Sequence, residues 1–110
     1  LFVCYANICR SPMAMAIFQH QINKAGLAGK ISVKSAGIAA QFAGSPFDKN
    51  GILACSQNNI YLSGSSTTVT KKMIISSDYV LAMDKNVLSA IYDLASPYQK
   101  SNVILFYVCE

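Results

Sequence analysis

The sequence predicts an α/β fold of three layers, a four-stranded parallel sheet with helices on both faces. Short apolar runs of strand length alternate along the chain with segments of helical periodicity, and this alternation is typical of parallel sheets. Hydrophobic residues make up 53% of the 110 residues, enough for one core. A cysteine ends the first apolar run, at the sheet edge where ligands bind in such folds.

The first strand and the first helix follow from local sequence. Leu1 to Cys4 is apolar and predicts a buried strand. Ser11 and Pro12 predict the start of a helix, because serine caps free amides and proline is favoured in the first turn. Apolar residues then recur at helical spacing, and Gly26 and Gly29 predict the end of the helix.

The rest of the chain continues the alternation of strands and helices. The predicted strands are Ile31 to Ser35, Tyr79 to Met83 and Asn102 to Phe106. The predicted helices run from a cap at Asp48 to about Asn58 and from Lys85 to Leu94. The predicted connections are a loop at 37–47, a polar segment at 63–70 and a turn at Ser96-Pro97.

Charge and hydropathy exclude several classes of function. The formal charge is +4, but the basic residues are dispersed, so we expect no nucleic-acid binding, which needs a basic stripe. No apolar run approaches the roughly 18 residues of a membrane-spanning helix, so no membrane span is predicted. Neither of the glycine-rich nucleotide-binding patterns occurs.

The four cysteines do not form a dense disulfide framework. Only Cys4 and Cys9 are close in sequence, and His20 is the sole histidine, so the paired ligands of a zinc site are lacking. We therefore predict no metal, no cofactor and a reducing compartment, the cytoplasm. Both ends fall within strand-like runs, so we expect one domain over residues 1–110, incomplete at both ends.

The segment from Cys4 to Ser11 contains the residues expected to do the chemistry. It lies between a predicted strand and a predicted helix, and its pattern is a cysteine, five further residues, an arginine and a serine. A loop of this length can turn its amides inward, and the free amides of the helix start add positive potential. We therefore predict a phosphate-binding loop after the first strand, for phosphate or other oxyanions. The predicted phosphate-binding residues are Tyr5, Ala6, Asn7, Ile8, Cys9 and Arg10.

Three residues of this loop have predicted catalytic roles. Arg10, the only arginine, offers a planar fork of donors to two phosphate oxygens. Cys4 would exist largely as thiolate in the positive field and attack phosphorus, and water would hydrolyse the thiophosphate. Ser11 would steady the sulfur. A Cys-x5-Arg pattern also arises by chance, but the flanking strand, the following helix and the single arginine favour function.

The segment LFVCYANICRSPM closely resembles the phosphate loop of the low-molecular-weight protein tyrosine phosphatase family. Residues 33–37, 44–48 and 79–84 resemble further segments of that family, in the same order. The resemblance implies a cysteine-dependent hydrolase of phosphotyrosine in proteins, with a thiophosphate intermediate. Ser96-Pro97 and the strand at Asn102 to Phe106 are similar to bacterial members that oppose tyrosine autokinases, so such a kinase is an expected partner.

The resemblance also implies roles for residues outside the catalytic set. Asn7, Ser11 and Ser35 belong to a hydrogen-bond network that shapes the loop. Cys9 is a second thiol that can form a reversible disulfide with Cys4. The predicted pocket rim consists of Gln41, of Phe42, which could equally anchor a loop, and of Asp84, which could equally cap the following helix.

The chain also departs from the family. Its general acid is an Asp in an Asp-Pro-Tyr segment, which these 110 residues do not contain. We expect this chain to bind phosphate but to hydrolyse phosphotyrosine slowly, because acid catalysis contributes about 10²–10⁴-fold. Ala6 replaces a glycine, and Gly64 to Thr68 replaces a stretch that carries the network's histidine. Two alternatives stay open: a phosphate- or phosphotyrosine-binding module with weak or no turnover, and an arsenate reductase of the same fold.

Overall fold

The computed structural model describes residues 1–95 and 102–106, and in it four parallel strands form one sheet. The strands are β1 (Phe2–Cys4), β2 (Ser35–Gly37), β3 (Val80–Ala82) and β4 (Val103–Leu105), in the spatial order β2-β1-β3-β4. The helices are α1 (Arg10–Lys24), α2 (Lys49–Gln57), α3 (Lys71–Ser76) and α4 (Lys85–Leu94), with a 3₁₀ helix at Ala40–Phe42. The predicted fold class is confirmed.

The side chains of β1 show how helices come to cover both faces of the sheet. Successive side chains of a strand point to opposite faces. Val3 packs into a core that includes Ile74 of α3 and Ile91 of α4. Phe2 and Cys4 point the other way and pack against residues of α1. α2 packs on α1, so the molecule has the three layers that the sequence predicts.

The strand order places a crevice above the end of β1. From β2 the chain crosses over β1 to reach β3, so the connections that follow β1 and β3 leave the sheet in opposite directions. In parallel sheets this topological switch point is where ligands bind. The register pairs Cys4 with Gly37, which puts the cysteine at the carboxyl edge beside the end of β2.

The start of α1 differs from the prediction. The helix begins at Arg10, its N-cap residue is Cys9, and no side chain caps that end, so the prediction that Ser11 is the cap is wrong. Ser11 lies in the first turn with its side chain buried, engaged by polar groups of the preceding loop. Gly26 adopts a φ of 72° just beyond the helix, as predicted for its end.

The second strand was also placed wrongly. Residues 31–34 have no regular secondary structure, Ile31 is exposed, and the strand begins at Ser35 and ends at Gly37. The alternation in sequence was misleading, because the true strand consists of small residues that lie against the loop after β1. The loop predicted at 37–47 therefore starts one residue later and contains the 3₁₀ helix.

The remaining elements follow the prediction closely, apart from α3. α4 has its predicted bounds, α2 follows its Asp48 cap, and β3 and β4 are each one residue shorter at both ends than predicted. α3 was not predicted; Thr70 caps it by accepting a hydrogen bond from the amide of Met73. The turn at Ser96-Pro97 lies outside the described residues. Within the described part of the chain, no helix has the length and apolar character needed to cross a membrane.

Candidate active site

The segment from Cys4 to Arg10 turns its peptide carbonyls outward, toward the surrounding protein. The carbonyl oxygens of five residues accept hydrogen bonds: Cys4 from the amide of Ile38 (3.1 Å), Tyr5 from Ala39 (2.9 Å), Ala6 from the hydroxyl of Ser66 (2.6 Å), Ile8 from the amide of Asp48 (2.9 Å) and Cys9 from Met13 (3.1 Å). A trans peptide directs its C=O and its N–H to opposite sides. The N–H groups of these peptides therefore face the interior of the turn, the arrangement that binds anions.

Asn7 provides the sharp bend of this turn. Its φ is 56°, in the left-handed region that asparagine tolerates better than most residues. Ala6 does not share this conformation, so its methyl group causes no left-handed strain where the family has glycine. The bend brings the amide of Asn7 to 3.2 Å from the sulfur of Cys4, to which it donates a hydrogen bond.

The sulfur of Cys4 lies at the floor of the turn. The residue is 3% exposed, and the hydroxyl oxygen of Ser11 is 3.0 Å from Sγ. That oxygen accepts a hydrogen bond from Nδ2 of Asn7 at 2.8 Å, and its single proton has two acceptors within reach, the sulfur at 3.0 Å and the carbonyl oxygen of Ala36 at 3.4 Å. A thiolate can only accept, so when Cys4 is charged the shorter contact is a donation from Ser11 to the sulfur. Two donors aimed at one sulfur stabilise a negative charge on it.

The structure brings the three predicted network residues together around the side chain of Asn7. Its Nδ2 donates to the hydroxyls of Ser11 and Ser35, at 2.8 and 2.9 Å. Its Oδ1 accepts from the backbone amide of Thr67, at 2.9 Å. An amide N–H can only donate, so this last contact fixes the orientation of the carboxamide. Asn7 is fully buried, and its amide and both polar atoms of its side chain are hydrogen-bonded, which restrains the loop.

Gly37 lets β2 approach the loop closely, and this closeness predicts an effect of mutation. A Cβ at position 37 would lie 2.8 Å from the carbonyl carbon of Ala6 and 2.9 Å from the nitrogen of Asn7. We expect Gly37→Ala to lower the free energy of unfolding by about 1–3 kcal/mol, as overpacking does, and to weaken phosphate binding. Urea unfolding and calorimetric titration with phosphate measure the two effects.

Gly29→Ala is the matched control for this prediction, because a Cβ there would meet nothing within 4 Å. That variant should unfold and bind phosphate as the wild type does. Equal behaviour of the two variants would show that β2 does not constrain the loop.

Arg10 follows the loop at the start of α1 and forms an ion pair with Asp84. One terminal nitrogen, Nη1, donates to Oδ2 of Asp84 at 3.0 Å, and the arginine side chain is 49% exposed. The other oxygen of Asp84 accepts from the amide of Val87 at 2.8 Å and caps α4. Asp84 is thus both a helix cap and a neighbour of the loop. A guanidinium has five N–H donors, so this contact leaves others for an oxyanion.

Asp84 remains ionised in this position. Partial burial acts to raise its pKa, but the hydrogen bonds from Val87 and Arg10 and the positive charge of Arg10 outweigh burial and hold the pKa below its ordinary value of 3.8. A carboxyl group with a lowered pKa stabilises the folded state above its unfolded pKa, and that contribution is lost as pH falls through the folded pKa. Asp84 therefore stabilises the fold at neutral pH but not in strong acid.

Replacing Asp84 by Asn tests this assignment. We expect the free energy of unfolding to fall by less than about 1 kcal/mol at pH 7, because the ion pair is partly exposed. The difference from wild type should shrink as pH falls through the lowered pKa of the wild-type carboxyl in the folded state. Denaturant midpoints at several pH values measure the effect. Asp48→Asn, which alters the cap of α2 without touching Arg10, is the control for capping. A wild-type-to-variant difference independent of pH would contradict the ion pair.

Cys9 is the second cysteine of the loop. Its sulfur is exposed, 3.8 Å from Sδ of Met13 and 3.9 Å from Oδ2 of Asp48. Partial burial, with the negative charges of Asp48 and Cys4, raises the pKa of Cys9 against the opposing effect of Arg10. Cys4 and Cys9 are both free. Their reversible disulfide stays a prediction.

Of the predicted rim residues, Phe42 contacts the loop and Asp84 contacts Arg10, whereas no contact of Gln41 with the loop is seen among the described residues. The ring of Phe42 lies edge-on to that of Tyr5, with centroids 6.1 Å apart, whereas Gln41 is exposed on the 3₁₀ helix. Beside Tyr5 is a depression of about 250 Å³. Its lining residues are Tyr5, Ile38, Asp84, Asn86 and Val87.

Sequence analysis missed two residues of the site, Ser66 and Thr67. They lie in the segment predicted as a plain polar connection, yet Ser66 is 5% exposed and bonded to the loop. The family's histidine is replaced in this segment, and the structure shows hydroxyl and backbone donors bracing the loop there. No local pattern could have revealed them, because each contact joins residues 60 positions apart.

Comparisons with known proteins point to one family. The family model for low molecular weight phosphotyrosine protein phosphatase matches residues 1–109. The low molecular weight protein-tyrosine-phosphatase YfkJ of Bacillus subtilis is 36% identical over 98% of this chain and 71% of its own length. Low molecular weight phosphotyrosine protein phosphatase 2 of Drosophila melanogaster is 34% identical over 86% of this chain. The aligned region is only 58% of that relative's length.

A solved structure shows the same architecture. The crystal structure of a protein tyrosine phosphatase from Entamoeba histolytica superposes with a TM-score of 0.91 at 27% identity. The superposition covers 94% of this chain and 67% of that one.

Proposed function

The chain belongs to the low molecular weight phosphotyrosine protein phosphatase family, and from this premise we propose that it hydrolyses phosphotyrosine in proteins with Cys4 as nucleophile. One observation carries the proposal. The buried sulfur of Cys4 accepts a hydrogen bond from the Asn7 amide and lies 3.0 Å from the Ser11 hydroxyl oxygen. It lies at the floor of a turn whose amides face inward. Such a turn holds a phosphate dianion directly above a charged sulfur.

The reaction has two displacements at phosphorus. The Cys4 thiolate attacks, the S–P bond forms, and the bond to the tyrosine oxygen breaks, so that the phenol leaves with a proton taken from an acid. Water then attacks the thiophosphate and gives a proton to the conjugate base of that acid, the S–P bond breaks, and phosphate departs while the thiolate and the acid are restored. The hydroxyl of Ser11 stabilises the leaving sulfur in this second step. The inward amides and Arg10 hold the equatorial oxygens in both transition states.

The acid that protonates the phenol is a group other than Asp84. Asp84 is ionised at neutral pH and shared between Arg10 and the start of α4. The resemblance places the acid in an Asp-Pro-Tyr segment, which the 110 residues do not contain. Efficient turnover is therefore proposed for the whole protein. The site in this chain supports oxyanion binding, and a phosphotyrosine-binding module remains the second candidate.

Three further expectations concern the alternative activity, the location and the partner of the protein. An arsenate reductase is not favoured, because the family model and the relatives are protein tyrosine phosphatases. Four cysteines without a dense disulfide framework suit a reducing compartment, so a cytoplasmic location is part of this proposal. A tyrosine autokinase as partner stays a prediction, since Ser96-Pro97 lies outside the described residues.

Steady-state kinetics of the full-length protein test the proposal. We expect turnover of a phosphotyrosine peptide, competitive inhibition by inorganic phosphate and by vanadate, and little turnover of a phosphoserine peptide. Binding of phosphate and vanadate without any turnover would instead support the binding module. Absence of both binding and turnover would contradict an anion site in this turn.

A further inference from the structure

We propose that Ser66 is a positioning residue of this site, whose hydroxyl fixes the peptide between Ala6 and Asn7 so that the Asn7 amide points at the Cys4 sulfur. The inference rests on the proposed phosphatase function. It gives a role to a residue for which the sequence predicted none.

The two ends of one peptide group carry the argument. The Ser66 hydroxyl donates to the carbonyl oxygen of Ala6 at 2.6 Å, and the N–H of the same peptide, that of Asn7, donates to Sγ of Cys4 at 3.2 Å. The peptide is planar and trans, so its C=O and N–H point in opposite directions. Any rotation of the peptide that breaks one hydrogen bond therefore breaks the other.

This peptide needs to be held, because the left-handed conformation of Asn7 is less favourable than one with negative φ, even though asparagine tolerates it better than most residues. Asn7 has a φ of 56°, in a region that residues other than glycine seldom occupy. A rotation of the peptide by about half a turn would move Asn7 to the more favourable negative φ and turn its N–H away from the sulfur. The hydrogen bond from Ser66 opposes this rotation.

Ser66 presents its hydroxyl from a fixed frame. Its amide donates to the carbonyl of Ser45 at 2.7 Å, and its own carbonyl accepts from the amide of Gly44 at 2.9 Å. The next residue, Thr67, donates its amide to Oδ1 of Asn7 at 2.9 Å. Ser66 thus holds the main chain of the turn at Ala6, and Thr67 holds the side chain of Asn7. Loss of the Ser66 hydroxyl removes only the hydrogen bond to the Ala6 carbonyl and leaves the bond from Thr67 to Asn7 in place.

The chemical consequence concerns the sulfur and the anion site together. With the peptide free to rotate, the Cys4 sulfur loses one of its two donors and an inward amide leaves the phosphate site. We therefore expect a less reactive thiol, weaker oxyanion binding and slower turnover, with little change in overall stability, because the backbone bonds of Ser66 remain.

The variants Ser66→Thr and Ser66→Val in the full-length protein test the proposal, since they match in shape and differ in one hydroxyl. Three quantities are measured: kcat/KM for a phosphotyrosine peptide, the inhibition constant of vanadate, and the rate of Cys4 alkylation by iodoacetamide at fixed pH, followed by peptide mass. We expect near-wild-type values for the threonine variant. For the valine variant we expect kcat/KM and the alkylation rate to fall about tenfold, the scale of one lost hydrogen bond, at an unchanged melting temperature.

Ser63→Ala is the control, because among the described residues the Ser63 hydroxyl donates to the hydroxyl of Tyr61, and both residues are exposed. It should leave all three quantities unchanged. Equal values for the threonine and valine variants, whether both near wild type or both reduced, would overturn the role of the hydroxyl. If the wild type alkylates at Cys4 but does not turn over phosphopeptide, the proposed function fails, while the difference in alkylation rate still decides the role of Ser66.

Discussion

Replacement of Cys4 by serine should reduce turnover of phosphotyrosine peptide by the full-length protein at least about 10⁴-fold, the scale on which loss of a nucleophile acts in other covalent enzymes. Serine is nearly isosteric and can accept the same hydrogen bonds from Asn7 and Ser11. We therefore expect the variant to fold normally and to bind phosphate, since the amides and Arg10 that hold the anion are untouched. Steady-state kinetics and calorimetric phosphate titration measure the two properties.

Cys55→Ser is the matched control for this experiment. Cys55 is also free and buried, but it lies between α1 and α2 in a separate apolar cluster. That substitution should lower stability, because it places a hydroxyl in an apolar core, and it should leave turnover per folded molecule intact. A Cys4→Ser protein that keeps wild-type turnover would show that the sulfur is not the nucleophile.

Replacement of Arg10 by lysine should have the second-largest effect. Lysine keeps the positive charge but lacks the planar guanidinium that matches phosphate oxygens. The guanidinium of Arg10 holds Asp84 through one nitrogen and has further N–H groups for the anion. We expect kcat/KM for a phosphotyrosine peptide to fall about 10²–10³-fold, the scale of losing a group that stabilises transition-state charge. Kinetics with the peptide and inhibition by vanadate measure the loss.

Lys85→Ala is the control for the charge of this region. Lys85 is an exposed cation that follows Asp84 in α4, and its removal lowers the net charge without altering the mouth of the turn. We expect no more than a small change in kcat/KM, and one that decreases with added salt. If Arg10→Lys and wild type had the same kinetics, only the charge of Arg10 would matter, and bidentate recognition would be wrong.

The parts of the fold that were predictable from sequence are those whose determinants are local. The bounds of α4 and the cap of α2 were predicted because Asp and an apolar period mark them within a few residues. β2 was misplaced because its position depends on Gly37 lying against Ala6 and Asn7, a tertiary contact. Local alternation at 31–35 could not reveal that contact.

The site shows the same limit. The Cys-x5-Arg pattern and the resemblance identified the loop and drew attention to Asn7, Ser11 and Ser35, which the structure joins in one network. Ser11 was expected to cap the helix as well, but the helix begins at Arg10, so Ser11 lies within its first turn and its hydroxyl joins the loop network instead. Ser66 was not found, because its contact with the loop spans 60 positions of chain and carries no local pattern.

The central claim, that the turn from Cys4 to Ser11 holds phosphate above a nucleophilic sulfur, is tested most directly by trapping the intermediate. The full-length protein would be mixed with phosphotyrosine peptide, quenched in acid during turnover, and analysed by intact mass and peptide mapping. We predict the added mass of one phosphoryl group, located on Cys4 and absent from Cys4→Ser. Continued turnover with the phosphoryl group on another residue, or with no protein-bound phosphoryl group at any quench time, would contradict the account.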